Sequence, residues 1–291
     1  MHGASLPDVV MPLNEKLEAD TEFRESLGSL AVRRTEALGS LKDMYVTGIP
    51  MTVGPAIALV NKEVLKAHGV DLSDKDWTWQ DLMDIAQKCT GENSETKEQN
   101  YGVQFLGSKS DNEIWKNFLL LGYGLDAAPT IEYGDTAKES VLTYNDDSAM
   151  KVWNYIEQLS KFTSPKDREG IDVSEPYNNH DVAIYFTEAP ILYYKQLDAA
   201  GVLDKYMAIN MPTITEGDNK GKVTPYAGDT NFAICNTSEN DEWAWEFIKF
   251  CATNDVAVDY FVQNGGIPNY IHGSDTLKEV LNDEWNTAIK Q

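Results

Sequence analysis

The side chains with the strongest chemistry are few and scattered. Cys89, Cys235 and Cys251 form an odd set with no C-x-x-C spacing, so neither a disulfide framework nor a tetrahedral zinc site is expected. His2, His68, His180 and His272 stand far apart, and no H-E-x-x-H pair occurs. A nucleophile is not signposted either, since neither G-x-S-x-G nor a Cys/His constellation is present. A glycosidase needs two carboxylates facing each other across a cleft. With 47 acidic residues such pairs arise by chance, and the sequence singles out none. No catalytic residue, metal ligand or cofactor is therefore assigned, and an enzyme is not expected. The 47 acidic residues against 24 Lys and Arg give a formal net charge of −23. Such a surface repels phosphate backbones and anionic headgroups, so neither nucleic acid nor a charged membrane face is an expected partner. Its ordinary consequence is solubility.

The elements that would position a site are those of an α/β chain. The 291 residues are 42% hydrophobic and 10% aromatic, enough for one large domain or two lobes. Asn61 caps a short helix that stops at Gly69. Thr78-Trp79-Gln80-Asp81 reads as a capping box ahead of Leu82, Ile85, Ala86 and Cys89 at helical spacing. The polar stretch 91–99 reads as a loop, 101–105 as a strand and 115–121 as a buried helix. Asn145 is expected to cap a helix with Val152, Ile156 and Leu159 on one face. Strands follow at 182–186, 206–211 and 231–235, with a helix from Pro190 to near Gly201 and a polar, Gly-containing loop at 213–222. Ser238-Glu239-Asn240-Asp241 reads as a second capping box, followed by Ala244, Phe247, Ile248 and Cys251; Asn264-Gly265-Gly266 stops the helix after that. No apolar stretch approaches the roughly 20 residues of a membrane span, and no secretory signal is visible at the start. On these features alone the chain reads as cytosolic.

Three ordered segments carry a resemblance that displaces that reading. The first is Tyr45-Val46-Thr47-Gly48-Ile49-Pro50, Leu59-Val60-Asn61-Lys62-Glu63-Val64-Leu65, Gly69-Val70-Asp71 and Trp77-Thr78-Trp79-Gln80-Asp81-Leu82. The second is Asp181-Val182-Ala183-Ile184-Tyr185-Phe186. The third joins Tyr226-Ala227-Gly228-Asp229-Thr230-Asn231-Phe232-Ala233-Ile234 to Ala244-Trp245-Glu246-Phe247-Ile248-Lys249-Phe250 and Gly265-Gly266-Ile267-Pro268. In this order and spacing they resemble family 1 extracellular solute-binding proteins of ABC importers, the maltose-binding-protein type. Val60 replaces the family's tyrosine and Ile184 its methionine, and both keep apolar character.

The resemblance implies an α/β, two-lobed periplasmic-binding-protein-like (type II) fold with hinge crossings and one lobe incomplete. Relatives carry an α/β unit and a secretory or lipoprotein signal before the equivalent of Val9–Leu13, and helices beyond that of Gln291. The implied division is 1–54 in a lobe 1 fragment, 55–225 in lobe 2, and 226–291 returning to lobe 1. Implied partners are a carbohydrate, a neutral oligosaccharide above all, and the permease subunits of an ABC transporter. The protein is expected to be an extracellular monomer, lipid-tethered or periplasmic.

Sugars are held by aromatic faces and by planar polar groups at the ring edge. The family positions map ligand contacts onto Gly54 at the first crossing, Asp111 and Trp115 after the 101–105 strand, Glu188 in the strand-to-helix turn, and Tyr226, Asp229 and Asn231 at the second crossing. Blander roles stand beside these: core packing for Trp115, turn capping for Asp229, helix-end electrostatics for Glu188 and a hinge hydrogen bond for Asn231. Trp77, Trp79, Trp153 and Trp245 are expected to be core. Tyr193-Tyr194 resembles the tyrosine pair of ferric-ion-binding relatives, displaced by about a helical turn, which keeps a metal-binding receptor as an alternative. A scaffold without a small ligand is the remaining one.

Overall fold

In the computed structural model, which describes residues 9–27, 33–37, 40–72, 76–104, 114–127, 131–132, 141–142, 144–164, 180–270 and 283–290, the run Ile57-Ala58-Leu59-Val60 is buried at every position. A strand that is apolar on both faces must be covered on both. This one, β3 (Ile57–Asn61), lies inside a five-stranded sheet whose other members are β4 (Gly91–Glu92), β5 (Gln99–Gln104), β8 (Val182–Thr187) and β9 (Tyr206–Ile209), in the order β4-β5-β8-β3-β9. Strands β5 and β8 are parallel; β3 is antiparallel to both β8 and β9.

Alternation along the strands builds two layers. Ala58, Val60, Ile184 and Phe186 join a core with Trp79, Leu82 and Ala86 of α4 (Trp79–Lys88), Phe118 and Leu121 of α5 (Ile114–Gly124), and Val152 and Leu159 of α6 (Asp147–Leu159). Leu59, Tyr185 and Tyr206 occupy the alternate positions. Tyr185 packs on Tyr193 of α7 (Pro190–Ala199), with ring centroids 5.5 Å apart. On the same helix Tyr194 meets the buried Trp285 of α10 (Asp283–Lys290) edge to face. These elements, with α3 (Lys62–Ala67), form a unit of residues 55–130, 143–227 and 281–291.

The second unit comprises residues 1–54, 131–142 and 228–280. Strand β2 (Ser40–Pro55) pairs with β1 (Arg33–Ala37) and β11 (Ile267–Pro268) and neighbours β10 (Ala227–Phe232). A short hairpin, β6 (Ile131–Glu132) with β7 (Val141–Leu142), belongs to it as well. Its core gathers Leu13, at the N-cap of α1 (Asn14–Ala19), Leu17 of α1, Phe23 of α2 (Thr21–Ser26), Ile49 and Met51 of β2, and Trp245, Ile248 and Cys251 of α8 (Asp241–Thr253), with α9 (Asp255–Gln263) following. The chain passes between the units within β2, at Gly54–Pro55, and within β10, at Ala227–Gly228.

Local signals are executed closely. Asn61 accepts from the Glu63 and Val64 amides and caps α3, which ends before Gly69 at φ +65°. Thr78 and Asp81 cap each other reciprocally at the start of α4. Four expectations are corrected. The cap of α6 is Asp146, not Asn145, because its carboxylate reaches the Ala149 amide three residues on. Strand β10 spans 227–232, not 231–235; its polar sequence hides a strand that pairing beside β2 creates. No capping box forms at Ser238, whose hydroxyl accepts from the Asn240 amide instead. The loop over 91–99 contains the hairpin of Gly91–Glu92 with Gln99–Asn100. Cys89, at the C-cap of α4, and Cys251 of α8 are buried free thiols, and desolvation pushes Cys89 up to about 12. No helix among the described residues is long and apolar enough to cross a membrane.

Candidate functional site

In open α/β sheets the loops after the carboxyl ends of parallel strands hold the ligand-binding groups. Here those ends belong to β5 and β8. Because β3 is antiparallel to β8, with Ile57 opposite Thr187, the start of β3 lies at the same edge. The amide of Ala56, just before β3, donates to the carbonyl of Tyr226 at 2.9 Å, which brings Tyr226 to that edge too.

The turn after β8 is set by its own residues. Thr187 is buried, and its hydroxyl accepts from the Ala189 amide at 2.9 Å. Pro190 then starts α7, where its missing N–H costs nothing. Glu188 stands between them, half-buried. Its carboxylate takes a hydrogen bond from the Lys116 ammonium at 3.1 Å, with the two side chains 19% and 27% exposed. No side chain caps the start of α7, and Glu188, one residue before its N-cap Ala189, also places a negative charge near that helix end. Trp115, beside Lys116 in the first turn of α5, is half-buried. Gln104 closes β5 with its side-chain oxygen buried and without a hydrogen-bond partner among the described residues.

Of the predicted site residues, Glu188 and the Tyr226 backbone thus lie at one sheet edge, with Trp115 next to Glu188's partner Lys116 on α5, while the Tyr226 ring packs against the unit's core. Gly54 and Asn231 belong to the other unit. Asn231 is half-buried in β10 with its carbonyl oxygen buried and unpartnered among the described residues, and it lies against Gly48, where an added Cβ would come within 3.2 Å of it. Asp111 lies outside the described residues. Asp229 lies in β10, and its side chain is outside them as well. Lys116 is the member that sequence reading missed. A lone lysine at the start of an otherwise apolar helix is the signal that could have found it, since such a cation needs a partner.

Trp77, Trp79 and Trp245 are core, as expected, and Trp153 is partly buried against it. The tyrosine pair is committed to packing. Tyr193 is buried on Tyr185, and burial pushes its phenol up to about 12; Tyr194 packs on Trp285. A phenol so placed does not present itself as a phenolate for a hard metal ion. At the opposite end of the same sheet a hollow of about 720 Å³ is lined by Asn61, Asn93, Asn100 and His180 among others. Its amides are spent on the structure. Asn61 caps α3 and donates to the His180 carbonyl, while Asn93 donates to Asn100, which donates to the Asp181 carbonyl.

Comparison with known proteins agrees with this architecture. Residues 8–287 match the family described as bacterial extracellular solute-binding protein, and the chain belongs to that family. No curated protein matches the sequence. Among solved structures it is similar to the ABC substrate-binding protein Lmo0181 from Listeria monocytogenes in complex with cycloalternan, at 16% identity and a TM-score of 0.69, over 97% of this chain and 67% of that one. It is similar to maltose-bound MalE3 of T. maritima at 15% identity and a TM-score of 0.68, over 98% and 68% of the two chains. An ABC transporter solute-binding protein from Thermotoga lettingae bound with alpha-D-tagatose matches at 20% identity and a TM-score of 0.62, over 97% and 68%. These likenesses establish the fold class, α/β of the periplasmic-binding-protein-like kind.

Proposed function

We propose that this chain is the extracytoplasmic substrate-binding component of an ABC importer. It binds a carbohydrate, above all a neutral oligosaccharide, and delivers it to the permease subunits. The observation that supports this reading is the Lys116–Glu188 pair at the sheet edge that the Tyr226 carbonyl also reaches, with Trp115 next to Lys116 in the first turn of α5. An aromatic face beside oriented hydrogen-bonding groups is what a sugar ring and its hydroxyls require. The family is one of binding proteins, and three of its structural neighbours carry sugars, which supports a ligand of that class.

On this reading the unit of residues 55–130, 143–227 and 281–291 is lobe 2 and supplies that edge, while 1–54, 131–142 and 228–280 are lobe 1. The expected bounds of 55–225 and 226–291 are corrected by the 131–142 hairpin and by α10, which packs on α7. Gly54, Asp229 and Asn231 are lobe 1's ligand-facing positions at the crossings, and Asp111 adds a polar group after β5. The chain works as a monomer outside the cytoplasm, periplasmic or lipid-tethered. The test is a thermal-shift screen against maltose-series oligosaccharides, pentoses, polyols and ferric citrate. A neutral glycan at ~100 times its Kd should add about 2.7 kcal/mol of stability. A response to ferric ion with none to any glycan would overturn the reading.

A further inference from the structure

Strand β9 runs the same way as β8, since both are antiparallel to β3, and its last residue, Ile209, pairs with Ala58 beside the start of β3. The connection from β9 to Tyr226 therefore leaves and re-enters at the edge assigned above to the ligand. Between those two feet it folds back on itself. The Ile214 amide donates to the Lys222 carbonyl at 2.9 Å, the Gly221 amide to the Ile214 carbonyl at 2.8 Å and the Thr224 amide to the Pro212 carbonyl at 3.1 Å. The buried Thr224, two residues before Tyr226, also accepts from the Trp79 indole N–H at 2.8 Å.

The tip of this connection is fastened just past the far end of α5. Oδ2 of Asp126 accepts from the Asp218 amide at 2.8 Å, and Oδ1 accepts from the Asn219 side-chain amide at 2.9 Å. Gly217 lies so close that a Cβ there would come within 1.6 Å of Oδ2. Lys151 of α6 adds an ion pair to Glu216. Asp126 itself sits at φ +48°, in the left-handed region. The Ala127 amide donates to the Gly122 carbonyl and the Asp126 amide to that of Tyr123, the pattern of a helix end that ordinarily carries glycine at this position. What glycine would lack is the carboxylate that holds the tip. Helix α5 thus serves the site from both ends. Its first turn carries Trp115 and Lys116, whose ammonium reaches Glu188, and the residue past its last turn grips the connection that leads to Tyr226.

We propose that Asp126 is a positioning residue for the ligand site. It joins α5 and the 210–226 connection into one block, so that the first turn of α5 and Tyr226 keep a fixed spacing at the ligand edge. The proposal rests on the sugar-binding reading and deepens it, placing a determinant of affinity one helix length away from the ligand.

The experiment measures glycan affinity by titration calorimetry well below the melting temperature, beside a thermal melt, for the wild type, Asp126→Gly and Asp126→Asn. The probe is the neutral glycan of the screen above that the wild type binds most tightly, with maltotriose tried first. Glycine suits the left-handed backbone better than aspartate, so Asp126→Gly removes the fastening without straining the helix end. Its affinity should fall about tenfold, the size of one or two hydrogen bonds, with the melting temperature nearly unchanged. Asparagine tolerates the same backbone and still accepts from the Asp218 amide through a neutral oxygen. Asp126→Asn should therefore recover most of that loss, to within about threefold of the wild type. The NMR signal of the Trp79 indole N–H reports on Thr224; it should shift in Asp126→Gly and return toward its wild-type position in Asp126→Asn. A role confined to folding would lower the melting temperature and leave the affinity unchanged. That result, or wild-type affinity in Asp126→Gly, overturns this proposal alone. A wild type that binds no glycan overturns the functional reading and this proposal with it.

Discussion

At the scale of single residues, Trp115 and Asp20 separate binding from stability. Trp115 is half-buried in the first turn of α5, next to Lys116, where the proposed function puts a ligand face. Trp115→Ala should cost about 1–3 kcal/mol of glycan binding while leaving the denaturant midpoint nearly unchanged. A core tryptophan would instead cost about 3–5 kcal/mol of stability, so calorimetry and a urea melt of the same variant tell the two apart. Asp20 works for the fold. Its carboxylate accepts from the Lys249 ammonium at 2.9 Å and caps α2 at the Phe23 amide at 3.0 Å. The lysine first, and then the amide, hold it below the ordinary aspartate value of 3.8. A group whose native pKa is depressed contributes in full above its unfolded value and loses that contribution as pH falls through the lowered one. The stability gap between wild type and Asp20→Asn should therefore be widest near neutral pH and close as the pH drops below 3.8. Both ions are partly exposed, so the gap will be modest and will shrink in salt. A gap independent of acid would show that the cap acts without the charge.

At the scale of elements, helix α4 and strand β5 meet without side-chain spacers. A Cβ placed on Gly102 would come within 2.1 Å of the Ala86 carbonyl oxygen, a backbone atom that cannot swing aside. Gly102→Ala should cost about 1–3 kcal/mol or more, visible as a lowered melting temperature, because helix and strand must separate to admit it. Nothing in the sequence around Gly102 announces this, since close approach depends on an element 16 positions earlier. Features governed by neighbours in sequence were legible: the Thr78–Asp81 box, the Asn61 cap, the Gly69 stop and the apolar run of β8. What depends on distant partners was not. Strand β10 has the polar sequence Gly-Asp-Thr-Asn and exists because β2 lies beside it. The same distinction divides the candidate site. Trp115, Glu188 and Tyr226 were proposed through family motifs, while Lys116 emerges only when α5 is laid against the turn after β8.

At the scale of the whole molecule, two surface properties oppose each other. The net charge of −23 keeps copies apart. Yet Trp243, Phe247 and Phe250 follow at i, i+4 and i+7 along the outer side of α8, exposed at 77%, 59% and 49%, and Val256 and Tyr260 of α9 are exposed at 75% and 63%. The inner side of α8 is spent on the core through Trp245, Ile248 and Cys251, so this helix is apolar on two sides. Apolar stripes of that kind attract whatever apolar surface reaches them. Which term wins depends on ionic strength. The Debye length falls from about 30 Å at 0.01 M salt to about 3 Å at 1 M, while burial of aromatic surface is unaffected or strengthened. Scattering from concentrated protein should thus stay low in dilute buffer and rise as sodium chloride is added, with bound hydrophobic dye reporting the exposed stripe throughout. The variant Trp243→Ser/Phe247→Ser/Phe250→Ser should lose most of the salt-induced scattering and dye signal at an unchanged net charge. Phe247 stacks on Phe232 with ring centroids 6.2 Å apart, so a small loss of melting temperature should accompany its replacement and none that of Trp243 alone. Scattering that grows with salt equally in the triple variant would place the attraction elsewhere on the surface.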